Sequence, residues 1–175
     1  EANFKDGKPD GLAASWHENG QKKKEVNAKD GKLDGLAVSW HKNGQKVEEA
    51  NFKDGKEDGL GASWYESGQK QAEANFKNGK LVTATNWKPN GEKCPITNVL
   101  DGNGVSVSYR EDGTVSNRYT YKDGQKVEDV SYREDGTVSN RYTYKDGELF
   151  ENVWYNEDGT VSDRYTYKDG VRVKD

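Results

Sequence analysis

The sequence predicts an all-β protein in which tandem antiparallel β-hairpins form an elongated, twisted, single-layer sheet. Three observations predict this fold class. Two series of glycine turns alternate along the chain, apolar and polar residues alternate between the turns, and an aromatic residue recurs at a fixed distance from most glycines. Repeats with a period of about 20–50 residues are supersecondary units that are stabilised by stacking on their neighbours.

The two glycine series divide the 175 residues into about seven units, with a spacing of 22 to 24 residues within each series. The first series, mostly Lys-Asp-Gly, comprises Gly7, Gly31, Gly55, Gly79, Gly102, Gly124, Gly147 and Gly170. The second series, Asn-Gly, Ser-Gly or Asp-Gly, comprises Gly20, Gly44, Gly68, Gly91, Gly113, Gly136 and Gly159. Both types of dipeptide favour hairpin turns because their residues tolerate positive φ.

The segments between the turns have the period of two that is typical of half-buried β-strands. Residues 105–123 alternate in this way on both sides of a Glu-Asp-Gly turn. In the first repeat, Leu12 and Trp16 fall on one face and His17 falls on the opposite face. The chain is therefore predicted to form a meander of about fifteen short strands, each about 4.8 Å from the next.

Aromatic residues form two rows in this predicted sheet. Four residues before each second-series glycine stand Trp16, Trp40, Trp64, Trp87, Tyr109, Tyr132 and Tyr155. Three residues before each first-series glycine stand Phe4, Ala28, Phe52, Phe76, Val99, Tyr121, Tyr144 and Tyr167. We expect both rows to lie along one face and to dominate stability, because each aromatic ring buries about 150–250 Å². The aromatic members of both rows are also the candidate binding residues, as a platform for a partner.

The repeats fall into two subfamilies within one continuous array. Residues 1–80 contain three well-matched hairpin repeats of 24 residues, and residues 105–175 contain three Tyr/Arg-type repeats of 23 residues. Between them, residues 81–104 form a divergent repeat with two prolines, which predict a local break or bend. The chain has no methionine and begins within a repeat. We therefore expect it to be a processed product or an excised fragment.

Composition limits the functional classes. Apolar residues make up 30% and charged residues 33% of the chain, which favours a thin sheet over a thick core. The net charge of −4 argues against a nucleic-acid surface, which is expected to be basic. No apolar run approaches the roughly 18 residues of a membrane span and no signal peptide is evident, so no transmembrane segment is predicted. Cys94 is the sole cysteine, which excludes an intrachain disulfide.

Two motifs resemble a known family. Residues 29–36 read K-D-G-K-L-D-G-L and residues 40–46 read W-H-K-N-G-Q-K. They closely resemble the variant-type MORN repeat of bacterial proteins, many of which carry the label YwqK family antitoxin. Three repeats over residues 1–80 match well, and the C-terminal repeats keep the aromatic residue and the glycines. The resemblance implies an elongated sheet of β-hairpins that acts as an interaction or membrane-proximal module without catalytic residues. It favours a bacterial cell-envelope or secreted location over the cytoplasm.

No catalytic, metal or cofactor site is predicted. His17 and His41 occupy one position of consecutive repeats, so about 10 Å separates them and they cannot share a metal ion. We expect both on the surface, and we expect Cys94 to be a packed or idle residue because it has no companion thiol or nearby histidine. Nine aspartates are predicted to cap turn backbone: Asp6, Asp30, Asp54, Asp112, Asp123, Asp135, Asp146, Asp158 and Asp169.

The leading functional hypothesis is a non-enzymatic scaffold that mediates protein–protein interaction or self-assembly through its aromatic face and open edge strands. A one-layer sheet has to cover its apolar stripe by curling, by pairing with another sheet, or by binding a partner. Contact with a protein partner or a second copy is expected edge to edge or face to face. One alternative is an envelope module that binds a polysaccharide or lipid headgroup through the aromatic rows or through Arg110, Arg118, Arg133, Arg141 and Arg164. A second alternative is an antitoxin-like protein that masks a toxin.

Overall fold

A computed structural model of the chain describes residues 2–173, which form strands, turns and one irregular connection. Fifteen strands form two antiparallel sheets of eight and seven strands, in each of which the strands follow chain order. The first sheet contains β1 (Ala2–Lys5), β2 (Lys8–Trp16), β3 (Lys22–Lys29), β4 (Lys32–Trp40), β5 (Lys46–Lys53), β6 (Lys56–Trp64), β7 (Lys70–Lys77) and β8 (Lys80–Asn86). The second sheet contains β9 (Gly104–Tyr109), β10 (Val115–Lys122), β11 (Gln125–Tyr132), β12 (Val138–Lys145), β13 (Glu148–Tyr155), β14 (Val161–Lys168) and β15 (Val171–Val173). The predicted all-β fold of tandem hairpins is confirmed.

The first-series turns are two-residue hairpin turns. Asp30 and Gly31 have φ values of 50° and 85°, and similar values recur at every first-series turn from Asp6–Gly7 to Asp169–Gly170. Positive φ at both central residues defines the type I′ turn, whose twist matches that of the flanking strands. Aspartate and asparagine reach this left-handed conformation more easily than other L residues. The Lys-Asp-Gly sequence therefore specifies the turn through its backbone conformation.

The second-series turns are longer and are followed by a β-bulge. In the turn after β4, Gly44 N donates to His41 O at 3.0 Å, and Gly44 has a φ of 83°. Ser39 then pairs with Glu48, whereas Trp40 pairs with Lys46, so one extra residue lies on the returning strand. A type I turn that ends in a left-handed residue commonly carries such a bulge.

Only some of the turn aspartates cap turn backbone. Asp112 Oδ1 accepts hydrogen bonds from Thr114 N at 2.8 Å and from Thr114 Oγ1 at 2.7 Å, and Asp135 and Asp158 accept equivalent bonds from the threonine two residues on. For the other six aspartates the capping prediction is wrong, because they supply the positive φ of the type I′ turns instead: Asp6, Asp30, Asp54, Asp123, Asp146 and Asp169.

These three caps predict an acid dependence of stability. Hydrogen bonds from the threonine side chain and backbone lower the pKa of Asp112, Asp135 and Asp158. A lowered pKa in the folded state means that the stabilisation is complete at neutral pH and is lost as the pH falls through the ordinary carboxyl range. We expect the free energy of unfolding, measured with urea from neutral pH to about pH 2, to decrease over this range.

A triple variant provides the matched control for the acid dependence. Asn19, Asn43 and Asn90 already close the equivalent turns of the other repeats, each accepting a hydrogen bond from the backbone N–H two residues on. The variant D112N/D135N/D158N should therefore keep its turns and show a smaller loss of stability in acid. An unchanged acid dependence in this variant would show that other carboxylates are responsible.

Residues 87–103 connect the two sheets without a regular strand. On one side, Cys94 N donates to Asn86 O of β8 at 2.7 Å. On the other side, Asn98 N donates to Val105 O of β9 at 2.9 Å. The prolines of this segment lack the N–H group that a regular strand would donate. The connection is therefore hydrogen-bonded to both β8 and β9, but it does not form a regular ladder with either strand.

The two sheets bend toward each other at this connection. Leu81 N of β8 donates to Gly124 O in the β10–β11 turn at 3.0 Å, and Ser106 Oγ of β9 donates to Asn86 Oδ1 at 3.0 Å. The accessible surface is 10779 Å², compared with roughly 8,500 Å² for a compact globular protein of this mass. The chain therefore exposes much of its sheet surface, as expected for a thin repeat structure.

Candidate interaction surfaces

The two aromatic rows lie on opposite faces, so the prediction that they share one face is wrong. Trp40 lies on the face of Val38, whereas Phe52 pairs with Gly35 and lies on the face of Ala37. The reason is the bulge after each second-series turn, because one extra residue moves all later side chains to the other face. The same register shift occurs in the second sheet and separates its two tyrosine rows.

The candidate binding residues are thus distributed over several surfaces. Trp16, Trp40 and Trp64 lie on one face of the first sheet, and Phe52 and Phe76 lie on the other. The remaining candidates lie at the exposed strand β1, in the connection, or in the second sheet: Phe4, Trp87, Tyr109, Tyr121, Tyr132, Tyr144, Tyr155 and Tyr167. Tyr109 is buried, so its side chain belongs to the core between the sheets.

One face of the first sheet carries a leucine row beside the tryptophan row. We call it the leucine–tryptophan face, and it comprises Leu12, Leu36, Leu60, Trp16, Trp40 and Trp64. The three leucines are 43–50% exposed and Trp16 is 46% exposed. From β2 to β7, this face covers an area of about 700 Å², estimated from strand spacing and rise per residue. On this face the leucines of β2, β4 and β6 alternate with asparagines of the neighbouring strands, since Leu12, Leu36 and Leu60 pair with Asn27, Asn51 and Asn75.

Three lysines beside the tryptophan row are each held between an aromatic ring and a carboxylate. Lys46 Nζ lies 5.2 Å from the centroid of the Trp64 ring and forms an ion pair with Glu49 at 2.5 Å. Lys22 and Lys70 make the equivalent contacts in their repeats. A cation over an exposed ring contributes about 0.5–1 kcal/mol. The charges of these three lysines are therefore balanced, and an ammonium group already occupies one side of Trp40, Trp64 and Trp87.

The opposite face of the first sheet, which we call the phenylalanine face, carries small residues beside Phe52 and Phe76. Two shallow depressions of about 120 and 160 Å³ lie on it, and Glu48, Ala50 and Glu57 line both. Burial raises the pKa of Glu57, and the charge of Glu48 raises it further. This face therefore combines an apolar floor with two carboxylates of the same charge.

Tyrosines of the second sheet surround a single lysine. Lys126 Nζ lies 5.3 Å from the ring centroid of Tyr119 and 5.0 Å from that of Tyr144, and it bonds Asp129 at 3.0 Å. Burial raises the pKa of the neighbouring Tyr121 to about 12, and the Glu57 carboxylate of the first sheet contributes to this rise. Tyr121 is therefore close to the phenylalanine face, across the bend between the sheets.

The side chain after the aromatic residue links neighbouring repeats. His17 Nε2 lies 2.8 Å from Trp40 O, and because a carbonyl only accepts, the imidazole carries its proton on Nε2. Tyr65 Oη donates to Trp87 O at 2.8 Å, and Arg110 and Arg133 each donate to the aromatic carbonyl of the next repeat. The expectation of surface histidines is corrected accordingly, since His17 and His41 are half-buried between repeats. Sequence reasoning missed these links, although a polar residue recurs at that position.

This link predicts a measurable cost for removing one hydroxyl. Tyr65→Phe should lower the free energy of unfolding by about 1–2 kcal/mol, because the carbonyl of Trp87 loses its buried hydrogen-bond partner. Urea unfolding followed by tryptophan fluorescence measures this difference. Tyr155→Phe is the control, because its hydroxyl has no hydrogen bond within residues 2–173, and it should change stability little. Equal effects of the two substitutions would contradict the proposed role of the Tyr65 hydroxyl.

The cysteine and the potential metal-binding side chains do not form a reactive or metal-binding site within residues 2–173. Cys94 is 2% exposed and its Sγ lies 3.0 Å from Tyr109 Oη, which agrees with a packed cysteine. Among residues 2–173, no three histidine, cysteine, aspartate or glutamate side chains are grouped so as to hold a metal ion. No helix in the same range is long and apolar enough to cross a membrane.

The fold defines the class of this protein as a tandem β-hairpin repeat array with exposed faces. A family model described as MORN repeat variant matches residues 9–30, 33–54 and 57–78. Residues 9–78 are thus three tandem MORN repeats of the variant type, and the predicted resemblance is confirmed for this part of the chain. MORN repeats are in general associated with binding and interaction. Comparison with curated proteins found no match.

Proposed function

We propose that this protein is a non-enzymatic β-repeat scaffold that binds protein surfaces, including a second copy of itself, through the leucine–tryptophan face. The observation that carries the proposal is the regular row of half-exposed leucines beside the tryptophans. Exposed apolar side chains that are grouped on one face commonly mark an interaction site. Its estimated area of about 700 Å² is close to the roughly 800 Å² per partner that a standard interface buries.

The charges on this face favour contact between two copies. Lys22, Lys46 and Lys70 are each paired with a glutamate of the same face. Along the tryptophan row, two copies therefore meet without the net repulsion that like-charged surfaces produce. Burial of the three leucines and of Trp16 supplies the apolar part of the contact energy.

Binding of polysaccharides or lipid headgroups receives less support. A sugar that stacked on Trp40 or Trp64 would compete with the lysine that occupies one side of the ring. Arg110 and Arg133 donate to backbone carbonyls, and Arg141 and Arg164 lie 3.5 and 3.4 Å from glutamates. These arginines are already engaged, which reduces their availability for phosphate or sugar. Antitoxin-like binding stays a hypothesis based on the family label.

Light scattering over a concentration series tests the proposal. The chain has a mass of 19.6 kDa, and we expect the measured mass to rise above this value as concentration increases. The variant L12S/L36S/L60S should remain a monomer, because it replaces the exposed leucine row with polar side chains. The control is I96S/L100S, which replaces exposed apolar residues of the connection and should associate like the wild type. Association that persists in the triple variant would contradict the proposed contact face.

A further inference from the structure

One residue of the phenylalanine face departs from the repeat pattern. The position that follows each first-series Gly-Lys is occupied by Pro9, Leu33, Glu57 and Leu81 in the first four repeats. Glu57 pairs across strands with Phe52. A carboxylate in this apolar row loses hydration, and the raised pKa of Glu57 reflects that loss. The fold thus places a charge where the other three of these repeats place an apolar side chain.

This carboxylate has no partner of opposite charge. Within residues 2–173, neither Glu57 nor Glu48 has a side-chain hydrogen bond or an ion pair, and the charge of Glu48 raises the cost of charging Glu57. Lys24 lines the first depression at its far end, so one cation and two carboxylates face this surface. The part of this surface around Glu57, close to Tyr121, therefore has a net negative charge.

The two depressions form one groove across the sheet. Residues from β3 to β6 line the first depression, and residues from β5 to β7 line the second. The floor contains Ala37, Ala50, Gly61 and Ala74, so a bound backbone can approach closely. From β3 to β7 the groove extends about 19 Å, which is the length of roughly six residues of extended chain.

We propose that this groove binds an extended segment of a partner protein that carries a lysine or arginine side chain, with the Glu57 carboxylate as its counter-charge. Charge complementarity identifies the occupant, because the groove holds an unpaired carboxylate beside an apolar wall. The phenyl ring of Phe52 packs against the alkyl stem of the bound side chain, as long basic side chains bury their stems on apolar surface. This proposal rests on the proposed function only in its premise that the chain is a protein-binding scaffold. It uses the phenylalanine face, whereas self-association uses the leucine–tryptophan face.

Titration with two blocked hexapeptides tests this proposal. The first alternates alanine and lysine, and the second alternates alanine and glutamate. Amide NMR spectra of the ¹⁵N-labelled protein give both the affinity and the location of binding. We expect saturable shifts at Ala50, Gly61 and Ala74 with the lysine peptide and no saturable shifts with the glutamate peptide.

Two variants and a control define the role of the carboxylate. Glu57→Gln should weaken binding of the lysine peptide about tenfold, because a charge-assisted contact is lost from a half-buried site. Glu57→Leu should do the same and should fold well, since leucine occupies this position in the second and fourth repeats. Glu18→Gln removes the same charge from an exposed turn and should leave binding unchanged.

Other outcomes would overturn the proposal. These are no saturable binding, equal binding of both peptides, shifts outside the groove, or equal affinities of the Glu57 and Glu18 variants. None of them would affect self-association through the leucine–tryptophan face, which light scattering measures separately. Conversely, a strictly monomeric chain that binds the lysine peptide in the groove would leave this proposal intact while contradicting the proposed contact face.

Discussion

Replacing Gly102 with alanine should destabilise the protein by about 3 kcal/mol or more. Gly102 has a φ of +75°, a conformation that costs an L residue about 1–2 kcal/mol. An added Cβ would also lie 2.4 Å from Gly124 N and 3.0 Å from Leu81 O. Because these neighbours are backbone atoms, the turns that join the two sheets would have to separate. Substitutions with losses of this size usually disrupt tightly packed or conformationally special positions.

The matched control for this substitution is Gly7→Ala. Gly7 occupies the same position of a first-series turn with a φ of +74°, and within residues 2–173 no atom beyond its chain neighbours lies within 4 Å of an added Cβ. It should therefore cost only the conformational strain, about 1–2 kcal/mol. Urea unfolding of both variants measures the difference. Equal losses would show that the close contact between the Gly102 and Gly124 turns is absent in solution.

Leu81→Ala should lower the free energy of unfolding by about 2–4 kcal/mol. Leu81 is 5% exposed, and its backbone N–H bonds to Gly124 O in the second sheet. Truncation of a buried leucine removes its apolar contacts and leaves a cavity. Thermal and urea unfolding both measure this loss of stability. The loss is expected because the bend between the sheets places the second sheet over Leu81.

Leu100→Ala is the comparison that isolates burial. Leu100 lies in the connection and is 66% exposed, so its truncation should change stability by less than about 0.5 kcal/mol. If both variants lose little stability, the second sheet does not pack over Leu81 in solution. If both lose several kcal/mol, the connection is more buried than the structure indicates.

Local features of this fold were predictable from the sequence. The Asp-Gly and Asn-Gly dipeptides specify the hairpin turns through φ values that few other residues adopt, as at Asp30 and Gly31. Alternation of apolar and polar residues then specifies the strands. These signals act over a few residues, so they are visible without a structure.

The relation between faces was not predictable in the same way. Whether Phe52 shares a face with Trp40 depends on one extra residue after the intervening turn. Strand alternation alone does not reveal this bulge, and a shift of one residue exchanges the two faces. Counting residues back from the glycines therefore gives the members of both series but not the face on which each of them lies.

The proposed binding groove depends on both local and distant contacts. Glu57 was visible in the sequence as a departure from Pro9, Leu33 and Leu81, but its register beside Phe52 required the structure. Its proximity to Tyr121 arises from the bend between the sheets, which involves residues more than sixty positions apart. Contacts of that separation leave no periodic signal in the chain.

Cross-linking between differently labelled copies tests the central claim most directly. An amine-reactive cross-linker is applied to a mixture of ¹⁵N-labelled and unlabelled protein, and mixed-isotope peptides identify contacts between copies. We predict that mixed links concentrate at Lys22, Lys46 and Lys70 on the leucine–tryptophan face. Mixed links that are absent, or as frequent at the exposed Lys24 of the phenylalanine face and Lys145 of the second sheet, would contradict a scaffold that associates through this face.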